Sequence, residues 1–263
     1  MKQFILFPLL LIGFIACQKV IDIDLNDAEQ KLVIVASYSA HDSTVSAKVT
    51  LTSSYFDSNP EPEVNDAIVT IYDHIGNATN VPLTANGEYV LSNYIPIINS
   101  TYTLTVNYNN SIYTAACDLA PSVPLEPITY DSIPPGIFTE SGGYIASLNF
   151  YDPASVVNHY EIILSENGKI KDSLNQIFTQ DDNLTDGNFV HRPLFGRFFH
   201  LYDTVGMEMR TIDQQVYNYL NQAIETVSNQ NSAAPGNPEA FWDNDALGYF
   251  SAYSSSFQEV IIL

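Results

Sequence analysis

Short runs in which apolar and polar residues alternate constrain the fold of this chain more than any other feature. In residues 45–52 the odd positions carry Val, Ala, Val and Leu, and the even positions carry Ser, Lys, Thr and Thr. A period of two is typical of a strand with one buried face, because successive side chains point to opposite sides of a sheet. Similar runs recur through residue 117, separated by turn signals such as Asn86-Gly87 and Asn109-Asn110. We therefore predict a mainly β fold.

The composition is compatible with a β-rich core. The chain contains 17 Tyr and 14 Phe among 263 residues, and 46% of its residues are hydrophobic. Aromatic side chains suit pleated, half-buried strands. About six short strands with regular turns before residue 119 predict an N-terminal β-sandwich, immunoglobulin-like or transthyretin-like, over residues 31–119.

A proline-rich segment divides the chain. Residues 121–135 contain five of the 14 prolines, and proline has no N–H to donate to a sheet. We therefore predict an extended linker over residues 120–136 and a second β-rich domain over residues 137–263. After Asp213, a residue type that commonly caps helix N-termini, apolar residues occur at helical spacing, which predicts one α-helix near residues 214–228.

The charge balance excludes one class of partner. The chain has 9 basic and 30 acidic residues, a net charge of -21. Such a body is repelled by phosphate backbones and by anionic membrane surfaces. We predict no nucleic-acid partner, and we interpret the acidity as keeping an exposed protein soluble.

The first 17 residues are typical of an export signal. One positive charge at Lys2 precedes an apolar stretch over residues 4–15, which as a helix spans about 18 Å, too short for a hydrocarbon core of about 30 Å. The end of the stretch, Ile15-Ala16-Cys17, resembles the lipobox of bacterial lipoproteins, with Phe14 in place of the usual Leu. The resemblance implies a signal peptide over residues 1–16, acylation of Cys17, a tether over residues 17–30 and a stable anchor in outer-membrane lipid.

Several segments together resemble one known family, the lipoproteins of domain of unknown function 4249 from Bacteroidota. The segments are Lys31-Leu-Val-Ile-Val, the stretch 55–72, Asn86-Gly87-Glu88-Tyr89, Tyr217-Asn-Tyr-Leu220 and Leu247-Gly-Tyr-Phe-Ser-Ala-Tyr253. Lipoproteins of this kind tend to accompany TonB-dependent outer-membrane transporters. The resemblance implies an accessory role in nutrient capture or import at the cell surface, and it brings no catalytic residues.

The acidic stretch 180–188 is a candidate calcium loop. Asp181, Asn183 and Thr185 match the first odd positions of an EF-hand, but the glycine falls one place late and Arg192 stands where Glu is needed. Two interpretations stay open: a solvated loop, which is the default, or an irregular calcium site that uses Asp181, Asp182 and Asp186. No other cofactor is predicted.

Two other groups of residues have alternative interpretations. Cys117, the one thiol left after Cys17, is interpreted as a small buried strand residue, because no His lies near it in sequence to act as a base. Four aromatic residues near the C-terminus are interpreted as core or, alternatively, as a platform that stacks on sugars; they are Phe241, Trp242, Tyr249 and Tyr253.

The sequence contains no zinc-hydrolase histidine motif, nucleophile elbow or phosphate-binding glycine loop. We therefore expect no enzyme. The leading hypothesis is a surface-anchored accessory or ligand-binding partner of a TonB-dependent nutrient transporter, acting on a small-molecule or oligomeric nutrient. The alternatives are an adhesin or structural surface module and, third, a secreted hydrolase.

The lipidation hypothesis predicts a mass difference. Cys17→Ala removes the sulphur that the lipid would join, so we expect the variant to lose membrane association and the acyl mass that the mature wild-type chain carries. Intact-mass spectrometry of membrane and soluble fractions measures both. Cys117→Ala is the matched control and should keep the lipid. An unmodified thiol at residue 17, or a mature chain that begins elsewhere, contradicts the hypothesis.

Overall fold

The computed structural model describes residues 30–53, 61–136, 139–228 and 238–263. Within these ranges the chain forms 16 β-strands and one α-helix, which confirms the predicted mainly β fold. The predicted signal peptide, the residue Cys17 and all but the last residue of the predicted tether lie outside the described residues. No helix in the described ranges combines the length and the hydropathy needed to span a bilayer.

The first half of the chain forms a β-sandwich, as predicted. Its two sheets meet in one core, where Ile34 and Val45 of one sheet lie in the same apolar cluster as Leu104 and Val106 of the other. The alternation that predicted the strands is the reason, since every second side chain enters the core. In spatial order the first sheet contains β1 (Leu32–Ser39), β2 (Thr44–Leu51), β6 (Glu88–Leu91) and β5 (Leu83–Ala85), and the second contains β4 (Ala78–Val81), β3 (Ile68–Tyr72), β7 (Ser100–Tyr108) and β8 (Ser111–Leu119).

The second half forms a second pair of packed sheets around its own core. Tyr160, Met207 and Phe150 are fully buried there. One sheet contains β12 (Lys169–Lys171), β11 (His159–Glu166), β15 (Thr204–Ile212) and β16 (Phe250–Ile261), with β13 (Phe178–Asp181) also paired to β11, and the other contains β14 (Phe189–Pro193), β10 (Gly143–Tyr151) and β9 (Thr129–Ile133).

Strand β16 belongs to both halves. Its first residues, Phe250–Tyr253, pair in parallel with Ala36–Ser39 of β1, and the stretch 254–261 pairs antiparallel with β15. The result is a continuous nine-stranded sheet in which β16 lies between β1 and β15. A parallel pairing between the first and last strands of a chain leaves no local turn signal, so the sequence did not predict it.

The C-terminal segment also completes the first core. Trp242 is buried, its Nε1 donates a hydrogen bond to the Ile34 carbonyl at 3.0 Å, and Phe250 and Ala252 are buried in the same apolar cluster. The prediction placed this segment in the second domain alone. Burial of Trp242, Phe250 and Ala252 in that cluster instead makes the C-terminal segment contribute to the first core.

The prediction of an extended linker over residues 120–136 is wrong in part, because some of these residues form a strand or enter the second core. Residues 129–133, inside the predicted range 120–136, form β9, which pairs with β10. Val123, Leu125 and Ile128 are buried in the second core. A proline lacks only its own N–H as a hydrogen-bond donor to a neighbouring strand. The residues between the prolines can therefore still pack into the core and form strand hydrogen bonds.

The one α-helix of the described ranges, α1 (Gln214–Ser228), covers the predicted range. Asp213 caps it, since its Oδ1 accepts hydrogen bonds from the N–H groups of Gln215 at 2.6 Å and Val216 at 3.1 Å. The apolar face buries Val216, Leu220 and Ala223, and α1 contacts β11 and β13. The helix therefore covers part of the nine-stranded sheet on the face that does not enter the second core.

A substitution at Gly248 tests how much the pairing of the C-terminal segment with β1 contributes to stability. Gly248 has φ +92°, and a Cβ there would lie 2.1 Å from the Ile34 carbonyl oxygen, between the hydrogen bonds that link Ile34 N to Leu247 O and Ala36 N to Tyr249 O. We expect Gly248→Ala to lower the free energy of unfolding by more than about 3 kcal/mol, measured by urea denaturation.

Gly76→Ala is the matched control, because Gly76 has a similar φ of +87° with no atom near its missing Cβ. This variant should cost only about 1 kcal/mol of backbone strain. If the two variants lose the same free energy of unfolding, the close contact of Gly248 with β1 does not contribute to stability.

Candidate functional site

The nine-stranded sheet leaves a pocket on the face opposite the two cores. Phe250 and Ala252 of β16 enter the first core, so the alternation turns Ser251 and Tyr253 to the other face. There they line a cavity of about 390 Å³, which we call the sheet-face pocket. Its walls also include Val35 and Ser37 of β1, Ser46 and Lys48 of β2, Glu88 of β6, Glu161 of β11, Arg210 of β15 and Tyr249.

A partly buried ion pair lines the sheet-face pocket. Arg210 Nη1 lies 3.4 Å from Glu161 Oε2, and Nη2 lies 3.0 Å from Glu208 Oε2. The Arg210 guanidinium also stacks over the Tyr253 ring, 4.3 Å from its centroid, a contact that stabilises a desolvated cation. The planar guanidinium thus contacts two carboxylates and one aromatic face.

Burial opposes the charged form of both residues, but it determines the direction of the pKa shift only for Glu161. It raises the pKa of Glu161, which is 5% exposed, while the attraction of Arg210 acts in the opposite direction and Glu208 adds to the rise. Burial alone would lower the pKa of Arg210, but Glu161, Tyr253 and Glu208 together raise it. Arg210 therefore stays charged.

Two polar atoms of pocket-lining residues have no partner. Arg210 Nε and Ser251 Oγ are both buried and have no hydrogen-bond partner within the described part of the chain. An unpaired buried donor costs free energy comparable to a lost hydrogen bond. A ligand that carries a hydrogen-bond acceptor would remove that cost at Arg210, and the Ser251 hydroxyl accepts as well as donates. The arrangement suits recognition of a polar small molecule.

The structure brings two of the three predicted calcium ligands together and replaces the third. Carboxylate oxygens of Asp182 and Asp186 lie within 4.8 Å of each other and of an oxygen of Asp152. Asp181 is not in this cluster, since its Oδ2 instead accepts hydrogen bonds from Asn183 Nδ2 at 2.6 Å and Tyr217 Oη at 3.4 Å. The sequence prediction missed Asp152 because it lies 30 residues earlier, after β10, and only the pairing of the strands brings it near.

The aromatic residues near the C-terminus do not form an exposed stacking platform. Phe241 and Trp242 are at most 6% exposed and belong to the first core cluster, whereas Tyr253, which is 8% exposed and contacts that cluster, lines the sheet-face pocket under Arg210. Tyr249 packs against that cluster, and its ring centroid lies 5.1 Å from that of Tyr219. The interpretation as core is correct for Phe241 and Trp242, and the four residues do not form one exposed platform, because Tyr249 and Tyr253 line the sheet-face pocket instead.

Cys117 is buried in β8, as predicted. Its Sγ accepts a hydrogen bond from the Ala252 N–H at 3.1 Å. Burial, and to a lesser degree the charge of Asp213, raises the pKa of the thiol well above its ordinary value, which keeps it protonated and unreactive.

Sequence reasoning missed the ion pair of the sheet-face pocket, although a signal was present. Glu161 interrupts the apolar run His159–Leu164, and Glu208 and Arg210 interrupt the run Val205–Ile212. Charged residues are almost never fully buried unless they are paired. Opposite charges within two apolar strands therefore favour an ion pair between those strands. In the structure, the antiparallel pairing of β11 with β15 places Glu161 directly opposite Arg210.

The Arg210–Glu161 pair predicts a pH-dependent stability defect. Arg210→Met leaves Glu161 buried without its cation, which raises its pKa further, and we expect a loss of about 3 kcal/mol or more at neutral pH. A raised pKa in the folded state of an acid makes stability fall as pH rises above the unfolded value, here about 4.5. The loss measured by urea unfolding should therefore be smaller at about pH 5 than at about pH 8.

Arg192→Met is the matched control for this test. Arg192 is also partly buried and lies over the Phe178 ring, but it bonds only to neutral acceptors, the Thr179 carbonyl and Gln180 Oε1. Its variant should show no such pH difference, and Glu161→Gln added to Arg210→Met should abolish it. An Arg210→Met loss that is the same at both pH values contradicts the prediction.

Comparison with known proteins places the chain in a family. The family model described as a domain of unknown function, DUF4249, matches residues 18–259. No curated protein matches the chain. Among solved structures, a two-domain fibronectin type-III segment from chicken tenascin matches at 12% identity over 70% of this chain and 91% of that chain. Its TM-score of 0.23 is too low to support any inference. Because the family match spans nearly the whole length, the chain belongs to the domain of unknown function family DUF4249.

Proposed function

We propose that this chain is a lipid-anchored outer-membrane protein, exposed at the cell surface, that binds a nutrient ligand as the accessory partner of a TonB-dependent transporter. The lipobox-like segment before Cys17 supports the anchor. The acidic body, with a net charge of -21, supports a module that stays in solvent next to an anionic bilayer.

The sheet-face pocket is the observation that carries the binding part of the proposal. It is concave and built on strands of both sandwiches, which position side chains more rigidly than loops do. Arg210 Nε and Ser251 Oγ supply unpaired polar atoms, and Lys48 and Glu88 add charges of both signs. These features support a polar, small-molecule ligand.

The same pocket supports binding in preference to turnover. Among its lining residues, Ser251 has a hydroxyl with no hydrogen-bond partner, whereas a nucleophilic serine needs a base within hydrogen-bond reach. Glu161 is engaged with Arg210, which leaves it poorly placed as a general base.

Co-purification tests the partnership. Full-length tagged chain, extracted from membranes of native cells in mild detergent, should bring down an outer-membrane barrel protein of the TonB-dependent class, identified by mass spectrometry. The Cys17→Ala variant sets the background of barrel proteins that are captured without an anchor. Recovery of the wild-type chain with no barrel protein above that background counts against the proposal.

A pocket variant tests the binding role in the same cells. Val35→Trp fills the sheet-face pocket from the exposed face of β1, and we expect it to impair growth on any nutrient that requires the gene. Ile112→Trp is the control, because Ile112 is also an exposed strand residue and lies outside the pocket. Equal growth of the two variants on such a nutrient, or full growth of the deletion strain on all nutrients, contradicts the role.

A further inference from the structure

Two loops of the second sandwich meet at the carboxylate cluster. Residues 152–158 follow β10 and residues 182–188 follow β13, and the Asp152 N–H donates to the Asn188 carbonyl at 3.0 Å. The loops approach so closely that a Cβ on Gly187, which has φ +73°, would lie 2.9 Å from Ala154 Cβ. Asp152 comes from the first loop, and Asp182 and Asp186 come from the second.

Each of the three carboxylates is held in place by a hydrogen bond to one of its oxygens. Asp152 Oδ1 accepts from the Tyr160 hydroxyl at 2.6 Å. Asp182 Oδ2 accepts from the Asn158 N–H at 2.8 Å, and Asp186 Oδ1 accepts from the Ser155 N–H at 2.6 Å. Outer hydrogen bonds of this kind orient the ligands of metal sites and leave the second oxygen of each group for the ion.

Asp152 provides an independent observation that points to a cation. The residue is 4% exposed, and its Oδ2 is buried with no hydrogen-bond partner among the residues that the structure describes. None of the salt bridges within the described ranges involves these three carboxylates. A buried, unpartnered oxygen beside two like charges is costly unless a cation compensates it.

We propose that Asp152, Asp182 and Asp186 bind a calcium ion. Carboxylate oxygens are the ligands that calcium prefers, at about 2.3–2.6 Å, so oxygens on opposite sides of the ion lie about 5 Å apart. The mutual distances here are within 4.8 Å. Magnesium needs shorter bonds and a near-ideal octahedron, which a cluster on two separate loops does not favour. Asp186 is exposed and gives the ion a path from solvent.

Calcium titration of the purified full-length chain in detergent, after treatment with EDTA, tests the site. We expect about one ion per chain with a dissociation constant of about 10⁻⁴–10⁻³ M, as in extracellular calcium modules. Ion binding to the folded state alone should also raise the melting temperature when CaCl₂ replaces EDTA. Asp152→Asn and Asp186→Asn each remove one ligand charge and should weaken affinity about tenfold or more.

Asp181→Asn is the matched control, because Asp181 is adjacent to Asp182 and lies outside the cluster. Its affinity should stay within about twofold of the wild type. If Asp152→Asn fails to fold, the calcium affinity of Asp186→Asn, a substitution at an exposed residue, is compared with that of Asp181→Asn instead. Absence of calcium binding at millimolar concentration overturns the proposal. It is equally overturned if Asp181→Asn and Asp186→Asn weaken binding alike, or if magnesium binds as tightly as calcium.

Discussion

Strand β16 joins the two halves of the molecule, since its backbone hydrogen-bonds to β1 over Phe250–Tyr253 and to β15 over residues 254–261. The pairing also sets which side chains face the pocket. A slip of one residue would turn Ser251 and Tyr253 into the first core and expose Phe250. Since Phe250 is fully buried, the hydrophobic effect opposes that slip. The register of β16 therefore determines both the first core and the sheet-face pocket.

The pocket contains an arrangement that costs free energy, a partly buried Glu161–Arg210 pair in which Arg210 Nε has no hydrogen-bond partner among the described residues. Replacing a buried ion pair by apolar residues is often neutral or stabilising, so stability alone does not account for its presence. The proposed recognition of a polar ligand would account for it, because the strands would hold the guanidinium in place before the ligand arrives. This interpretation agrees with the proposed role as a binding partner of a transporter.

The carboxylate cluster depends on a different tertiary contact. Asp152 joins Asp182 and Asp186 because β10 and β13 deliver their following loops to one place. A cation there would bridge the two loops and offset the repulsion between three acidic groups. Its residues are separate from those that line the sheet-face pocket, so the two proposals stand independently.

Local patterns in the sequence were sufficient for the mainly β class, the first sandwich and helix α1, because period and capping depend on neighbouring residues. They also marked Asp182 and Asp186 as candidate ligands. Only the tertiary structure decided the parallel pairing of β16 with β1, the strand β9 among the prolines, the burial of Trp242 and the contribution of Asp152. Each of these depends on contacts between residues far apart in the chain, and no local propensity encodes which distant strand a segment will pair with.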